Sequence, residues 1–544
     1  MTEELIPALL IALPILGATL PLAFGLFRER VGWAVAVVVL TVEAALAFVL
    51  AHAVYLGDSR VVHVLGGDTF GRKDVVVGGQ ETEGFIVGIE LVADALSGLF
   101  VVLVGVVALA VLAYARRAGP RGNAFYSGYL LLTGGLMGVV LTGDLFNLFV
   151  FLEIVGLMTY ALVASDQSAA SAVSALKYLV VGTTGASMYL VGVGYLFVRT
   201  GTLNMVDVSR VLAGEPGWVE GALYTEGLVV ASFAFIAVGL ATKAAIFPLH
   251  TWQPDAYAES PDAVAVYISA LVSTSAAYAL ARITWIVFSP DFFAAGTVNR
   301  RVLEFLLVLA GASVLAGSAL AAMQRRVKRM FAYSSVAQFG LIVLAVGVAV
   351  HPAAGEAATR FAVYGAVVHL VGHAVIKGGL FATAGSLAAG EGARLVREYA
   401  GLAKRRPFLS GALAVLGFSI IGVPPSVGFV GKWYIGLGAV EAGLWPVVAV
   451  IFVSTVLTLL YVARLLEKLY FDSLDLAEPV AVEPTDPAES AVADGGGQLS
   501  HGMTAVGITA AVLAVGLGFA GAELASALDP LVDALVESSP EVVP

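Results

Sequence analysis

The chain contains no cysteine, and charged residues account for only 13% of its 544 positions. The missing cysteines exclude a disulfide framework, thiolate metal sites and cysteine nucleophiles. The shortage of charge is about half the roughly 25% found in soluble domains, which excludes a water-soluble enzyme. Basic surface is scarce too. Against 40 Asp and Glu there are 29 Lys and Arg, a net charge of −11, so little is available to neutralise the phosphates of a nucleic acid. No Gly-rich turn stands out after a strand and no ligand cluster has zinc spacing, so neither a cofactor nor a metal is expected. What the sequence does have is apolar bulk: 59% of residues, at a mean hydropathy of +0.93. The expectation is an all-α polytopic membrane protein whose solvent is the lipid bilayer.

A helix crosses ~30 Å of hydrocarbon with roughly 20 apolar residues. Windows of that size place about 14 spans, at 5–27, 31–56, 85–113, 125–143, 145–165, 173–198, 228–248, 263–288, 302–322, 330–350, 361–388, 408–436, 443–467 and 504–526. Runs such as VVLVGVVALAVLAYA do not alternate, so a membrane β-barrel is set aside. Glu3 and Glu4 lead the first span, which contains Pro14 and Pro21 and lacks a basic start. It reads as a retained helix, not a cleaved signal. Lys and Arg divide sixteen to eight between alternate loops. The positive-inside rule then predicts that both termini lie outside a cell membrane. Residues 468–503 are acidic and rich in Pro and Gly, and read as a flexible linker to the last helix.

Four ionisable residues sit where hydrocarbon is expected. Lys243, Lys377 and Lys432 lie inside apolar segments, and Glu153 is the eighth residue of FNLFVFLEIVGLMTYALV, about 12 Å deep at 1.5 Å per residue. Each costs ~2.5–3.5 kcal/mol at a helix centre, so together they approach ~10 kcal/mol. An inert buried pair, or a lysine reaching back to the interface, is the bland explanation. Proton movement is the better one. Burial disfavours the charged form of either group, and a Glu–Lys pair that forms and breaks acts as a gate.

His369, His373 and Lys377 recur every four residues in VVHLVGHAVIKGGLF, which lines one helical face. Two neutral imidazoles beside a lysine suit a hydrogen-bonded relay better than a metal site, for which no further ligand is near. Lys243 precedes Pro248 and Pro254, and Lys432 follows Pro424-Pro425. Interrupted segments in corresponding places of two halves mark the ion site of many transporters. His250, Asp255 and Glu259 follow the first interruption, as an access route to the lysine or as an interfacial cap. Arg325-Arg326-Val327-Lys328-Arg329 reads as a positive-inside anchor.

Five strings in this order, LFNLFVFLEIVGLMTY, KAAIFPLHTWQPDAY, QRRVKRMFAYSSVAQFG, HAVIKGGLF and GVPPSVGFVGKW, resemble the antiporter-like membrane subunit family. That family includes the large subunits of Mrp-type multisubunit sodium/proton antiporters and the proton-pumping subunits of respiratory complex I. Length and the final helix resemble the antiporter's D subunit most. The resemblance implies two inverted five-helix repeats, 125–288 and 302–467, each a half-channel with one broken helix. Residues 1–124 would hold helices one to three, and 504–526 the last helix. It also implies roles: Glu153 on the fifth helix, Lys243 on the broken seventh, His369, His373 and Lys377 on the eleventh, and Lys432 on the broken twelfth. Where the family carries a lysine on its eighth helix, this chain reads VSTSAAYAL and places Thr274 between Ser273 and Ser275. A hydroxyl holds a water wire but stores no proton near neutrality.

The implied function is proton translocation within a multisubunit Na+/H+ antiporter, with other membrane subunits as partners and protons and Na+ as the transported ions. The alternative is the membrane arm of a redox complex, pumping protons through the same residues. Inorganic-carbon uptake with a soluble partner, or a scaffold without transport, are further alternatives.

Overall fold

The computed structural model describes residues 3–28, 30–57, 60–66, 74–77, 80–83, 88–120, 122–215, 221–472 and 499–537. Most of the expected linker, from 473 to 498, falls outside them. The chain opens with α1 (Ile6–Gly17), α2 (Thr19–Gly25) and α3 (Gly32–Leu56). Two antiparallel ribbons follow, β1 (Val61–Leu65) pairing with β4 (Ile89–Ala93), and β2 (Asp74–Val77) with β3 (Gln80–Glu83). Next come α4 (Ala95–Ala118), α5 (Asn123–Leu141), α6 (Leu145–Val163), α7 (Ala169–Thr200), α8 (Met205–Ala213) and α9 (Gly227–Lys243). After short α10 (Gln253–Glu259), one continuous span is built from α11 (Asp262–Tyr267), a π-helical turn at Ile268–Val272, α12 (Ser273–Arg282), a second π-turn at Ile283–Phe288 and α13 (Ser289–Ala294). The rest comprises α14 (Thr297–Met323), α15 (Val327–Ala349), α16 (Glu356–Glu391), α17 (Leu402–Arg405), α18 (Pro407–Ile421), α19 (Val427–Glu441), α20 (Trp445–Tyr470), α21 (His501–Phe519), α22 (Gly521–Ser526) and α23 (Asp529–Val536).

Twelve helices among the described residues are long and apolar enough to cross a membrane. The expected 14 included two segments that the structure shortens. The window 228–248 keeps only α9, and 408–436 divides into α18 and α19 around Pro424-Pro425. The third span also starts later than its hydropathy predicts. Residues 89–93 are strand, and the helix begins where the Asp94 carboxylate accepts the amides of Leu96 and Ser97, satisfying donors that have no partner within the first turn. The narrow Gly143-Asp144 boundary is real for the same reason, since Asp144 caps α6 by accepting the Asn147 amide at 2.6 Å.

Packing grades from centre to rim. The span Asp262–Ala294 and helices α15 and α16 are almost wholly buried within the protein, whereas α20 and α21 leave most of their surface outside. Small residues set the closest approaches. A Cβ on Gly239 of α9 would stand 2.6 Å from the Gly185 carbonyl of α7, so only glycine lets these two backbones meet.

Candidate proton pathway

The first interrupted segment ends α9 on Lys243. Its carbonyls are partly claimed within the break, where the Ile246 amide donates to Ala241 O at 2.9 Å and the Trp252 indole donates to Thr242 O at 2.9 Å. Trp252 is itself held by Tyr178 of α7, stacked at 3.8 Å between ring centres. A locked helix end of this kind fixes the direction of the side chain leaving it. Lys243 Nζ reaches α6, donating to Glu153 Oε1 at 2.8 Å and to Leu152 O at 3.3 Å. Lys243 is buried and Glu153 partly so, with 23% of its side chain exposed. The expected Glu–Lys pair is therefore assembled, from residues on separate helices.

The second interruption carries its lysine on the helix that follows the break, with a different partner set. Ser426 caps α19, and Lys432, buried one turn further on, turns back to donate to the carbonyls of Ile420 and Ile421, each at 3.0 Å. Those are the last carbonyls of α18, which have no partner within the helix and carry the negative end of its dipole. No carboxylate faces Lys432 among the described residues.

His369, His373 and Lys377 share the buried face of α16, as their spacing predicts. That face meets α15. His369 Nε2 lies 2.8 Å from Gln338 Oε1, the His373 ring packs edge-on against Phe339 at 4.5 Å, and Lys377 donates to the Phe331 carbonyl at 2.8 Å and to the Ser334 hydroxyl. His369 Nδ1, His373 Nε2 and Gln338 Nε2 are buried without a hydrogen-bond partner among the described residues. Open valences of this kind, on groups able to donate or accept, are where a water or a migrating proton can be received. The stripe also adjoins Lys432's helix, because a Cβ on Gly431 would stand 2.7 Å from His369 Cβ.

Beyond the first break lies a neutral polar cluster. Gln253 Nε2 donates to Ser273 Oγ at 2.9 Å and to the Tyr257 hydroxyl at 3.2 Å, with Gln253 Oε1 unpaired among the described residues. Thr274 is buried beside it in sequence and returns its hydroxyl to the Ala270 carbonyl at 2.7 Å. One further hydroxyl ties the halves directly. Ser313 of α14 accepts the Phe247 amide from the first break at 3.0 Å and donates to Val336 O of α15 at 3.0 Å.

Two of the residues expected to give access, Asp255 and Glu259, pair with basic residues. Asp255 sits between Lys177 of α7 at 2.7 Å and Arg329 of α15 at 3.2 Å. Glu259 accepts Arg326 at 2.5 Å, and Asp262 pairs with Lys328. The basic cluster read as a lipid anchor thus also binds the acidic residues after the first break. His250 is buried and stacks near Phe247.

Several groups escape a reading of the sequence. Lys177 lies near the start of its span and is absorbed into it. Gln338 carries no charge to attract notice. Asp94 and Arg282, paired at 2.8 Å and both almost fully buried, are too far apart in sequence for any local pattern to join. Glu43 stands inside the second apolar run and answers to the criterion that singles out Glu153.

A family model described as NADH:quinone oxidoreductase/Mrp antiporter, transmembrane, matches residues 142–458. NADH-quinone oxidoreductase subunit N of Desulforudis audaxviator (strain MP104C) is 43% identical over 405 residues, covering 74% of this chain and 76% of that one. The D subunit of the Na(+)/H(+) antiporter of Bacillus subtilis (strain 168) is 31% identical over 381 residues, covering 70% and 72%. A chain in the structure of the Mrp complex from Dietzia sp. DQ12-45-1b superposes with a TM-score of 0.82 at 25% identity, over 100% of this chain and 99% of that one. Two interrupted helices, each bearing a buried lysine, are therefore read against relatives from antiporters and quinone oxidoreductases alike, and this chain belongs to the NADH:quinone oxidoreductase/Mrp antiporter transmembrane family.

Proposed function

We propose that the chain translocates protons as one subunit of a multisubunit membrane assembly, along Glu153, Lys243, the His369–His373–Lys377 stripe and Lys432. The observation that carries this reading is the 2.8 Å Lys243–Glu153 pair at the end of an interrupted helix. An ion pair placed where a helix is broken has a hinge beside it, and opening the pair changes what each member holds. In this reading residues 125–288 and 302–467 are the two half-channels, and 1–124 and 504–526 flank them. Both termini face outside the cell membrane. Asp255, Glu259 and His250 form the access on the basic side. The Gln253–Ser273–Tyr257 cluster and Thr274 carry a water-bridged link between the halves, in place of a charged residue.

The transported pair is a proton against sodium, with proton influx driving sodium efflux together with partner subunits. The Mrp-complex superposition and the Bacillus subtilis antiporter relative support this assignment. The 43% identity to a quinone oxidoreductase subunit supports the second reading, in which redox chemistry in neighbouring subunits drives protons outward through the same residues. Inverted vesicles carrying the assembled complex separate the two. Antiport appears as sodium-dependent dissipation of an imposed pH gradient, and redox pumping as a gradient built on quinone reduction without sodium. Glu153→Ala and Lys243→Ala abolish whichever activity is present. Full activity in both variants would sink the relay.

A further inference from the structure

Glu43 lies in the middle of α3, outside the residues that match the family. It is fully buried, and neither carboxyl oxygen has a hydrogen-bond partner among the described residues. No charged group among them acts on it. Its neighbours in the seam are phenols: Tyr129 of α5 and Tyr267 of α11 lie within electrostatic reach, stacked on each other at 4.5 Å. The remaining helices packed on α3 add no counter-charge at this depth. Helices α1 and α2 have no titratable residue, and α4 keeps its own, Tyr114, Arg116 and Arg117, in its last turns.

A carboxylate here would present about four acceptor sites to hydrocarbon and phenol rings, with nothing donating to them. The protonated acid removes the charge and leaves a single donor to satisfy. The seam also contains a pair able to pass a proton on. The Tyr267 and Thr133 hydroxyls are 2.7 Å apart and either can donate, while the Tyr129 hydroxyl is engaged with Ala108 O at 2.6 Å. Tyr267 directly precedes the π-turn at Ile268–Val272 that leads into Ser273 and Thr274. Loss of the proton would set an unpaired negative charge beside the phenol that anchors this turn.

We propose that Glu43 is a proton-binding site separate from the relay. It holds its proton as a neutral carboxylic acid and exchanges it with water by way of the α3–α5–α11 seam. The inference does not rest on the relay reading, and its test reads a signal that the relay does not produce.

Infrared spectra of the full chain in lipid at neutral pH should show a protonated-carboxyl stretch that shifts on exchange into heavy water. Glu43→Gln removes that band, Glu43→Asp moves it, and Glu153→Gln leaves it in place. Because Glu43→Asp retains an acid, it guards against a glutamine variant that fails to assemble. A protonated-carboxyl region identical in the wild type and both Glu43 variants would overturn the proposal, showing Glu43 to be ionised. A band that is lost in Glu43→Gln but never shifts in heavy water overturns it equally, since the proton would not exchange.

Discussion

The two interrupted helices each carry a lysine beside the break, on opposite sides of it, and solve its burial in opposite ways. Lys243 meets a carboxylate, Glu153, carried by another helix. Lys432 meets only the two terminal carbonyls of α18, and Lys377 only a carbonyl and a hydroxyl, among the described residues. In the proposed pathway a cation facing a carboxylate exchanges charge with it, so Lys243 and Glu153 change state as a pair. A cation held by fixed dipoles has no acid to exchange with. In the proposed pathway Lys432 would instead pass a proton along α16, where His369 Nδ1 and His373 Nε2 have no hydrogen-bond partner among the described residues. In that proposed pathway the first lysine acts as a gate and the second as part of a wire.

That contrast can be broken from the gate side first. Glu153→Gln keeps the shape and removes the charge, and transport in vesicles should fall on the order of 100-fold, the usual contribution of a positioned proton-transfer group. No carboxylate variant in the second half should approach this, because no described carboxylate faces the lysines there. Lys432→Met comes next, with transport down roughly tenfold. It also strips two helix-end carbonyls of their donor, which lowers stability by about 1–3 kcal/mol as read by thermal melting in detergent.

A purely packing change sharpens the comparison further. A Cβ on Gly428 would stand 1.9 Å from the Ser419 carbonyl across the second break. Gly428→Ala should cost about 1–3 kcal/mol of stability, and it should reduce transport less than Lys432→Met. The smallest effect belongs to Asp255→Asn. Arg329 and Asp255 are 32% and 25% exposed, so the bridge from α10 to α15 contributes less than ~1 kcal/mol and fades as salt is raised. Assay at high ionic strength should make the variant and wild type indistinguishable.

Much of the site is legible in the sequence because hydrocarbon makes charge conspicuous. Glu153, Lys243, Lys377 and Lys432 stand out against apolar neighbours, and the four-residue spacing of His369, His373 and Lys377 is enough to put them on one face. Partners are harder. Gln338, Ser334 and the α18 carbonyls carry no charge, so a search for ionisable groups passes over them, and their proximity depends on how α15 and α18 pack. The Asp94–Arg282 pair needs the fold to bring its members together. Hydropathy also overruns the start of α4, since Ile89–Ala93 is as apolar as a helix turn and only the Asp94 cap reveals the change. The π-turns leave no mark in composition at all.

The Ser313 hydroxyl accepts from the chain inside the first break and donates to α15 between Ser334 and Gln338, the residues that hold Lys377 and His369. A single oxygen thus works as a rivet through both halves. In the proposed pathway a shift of the backbone at Phe247 would tug the strip of α15 that cradles the far lysine, so the two ends would keep step mechanically even while no proton is in transit between them.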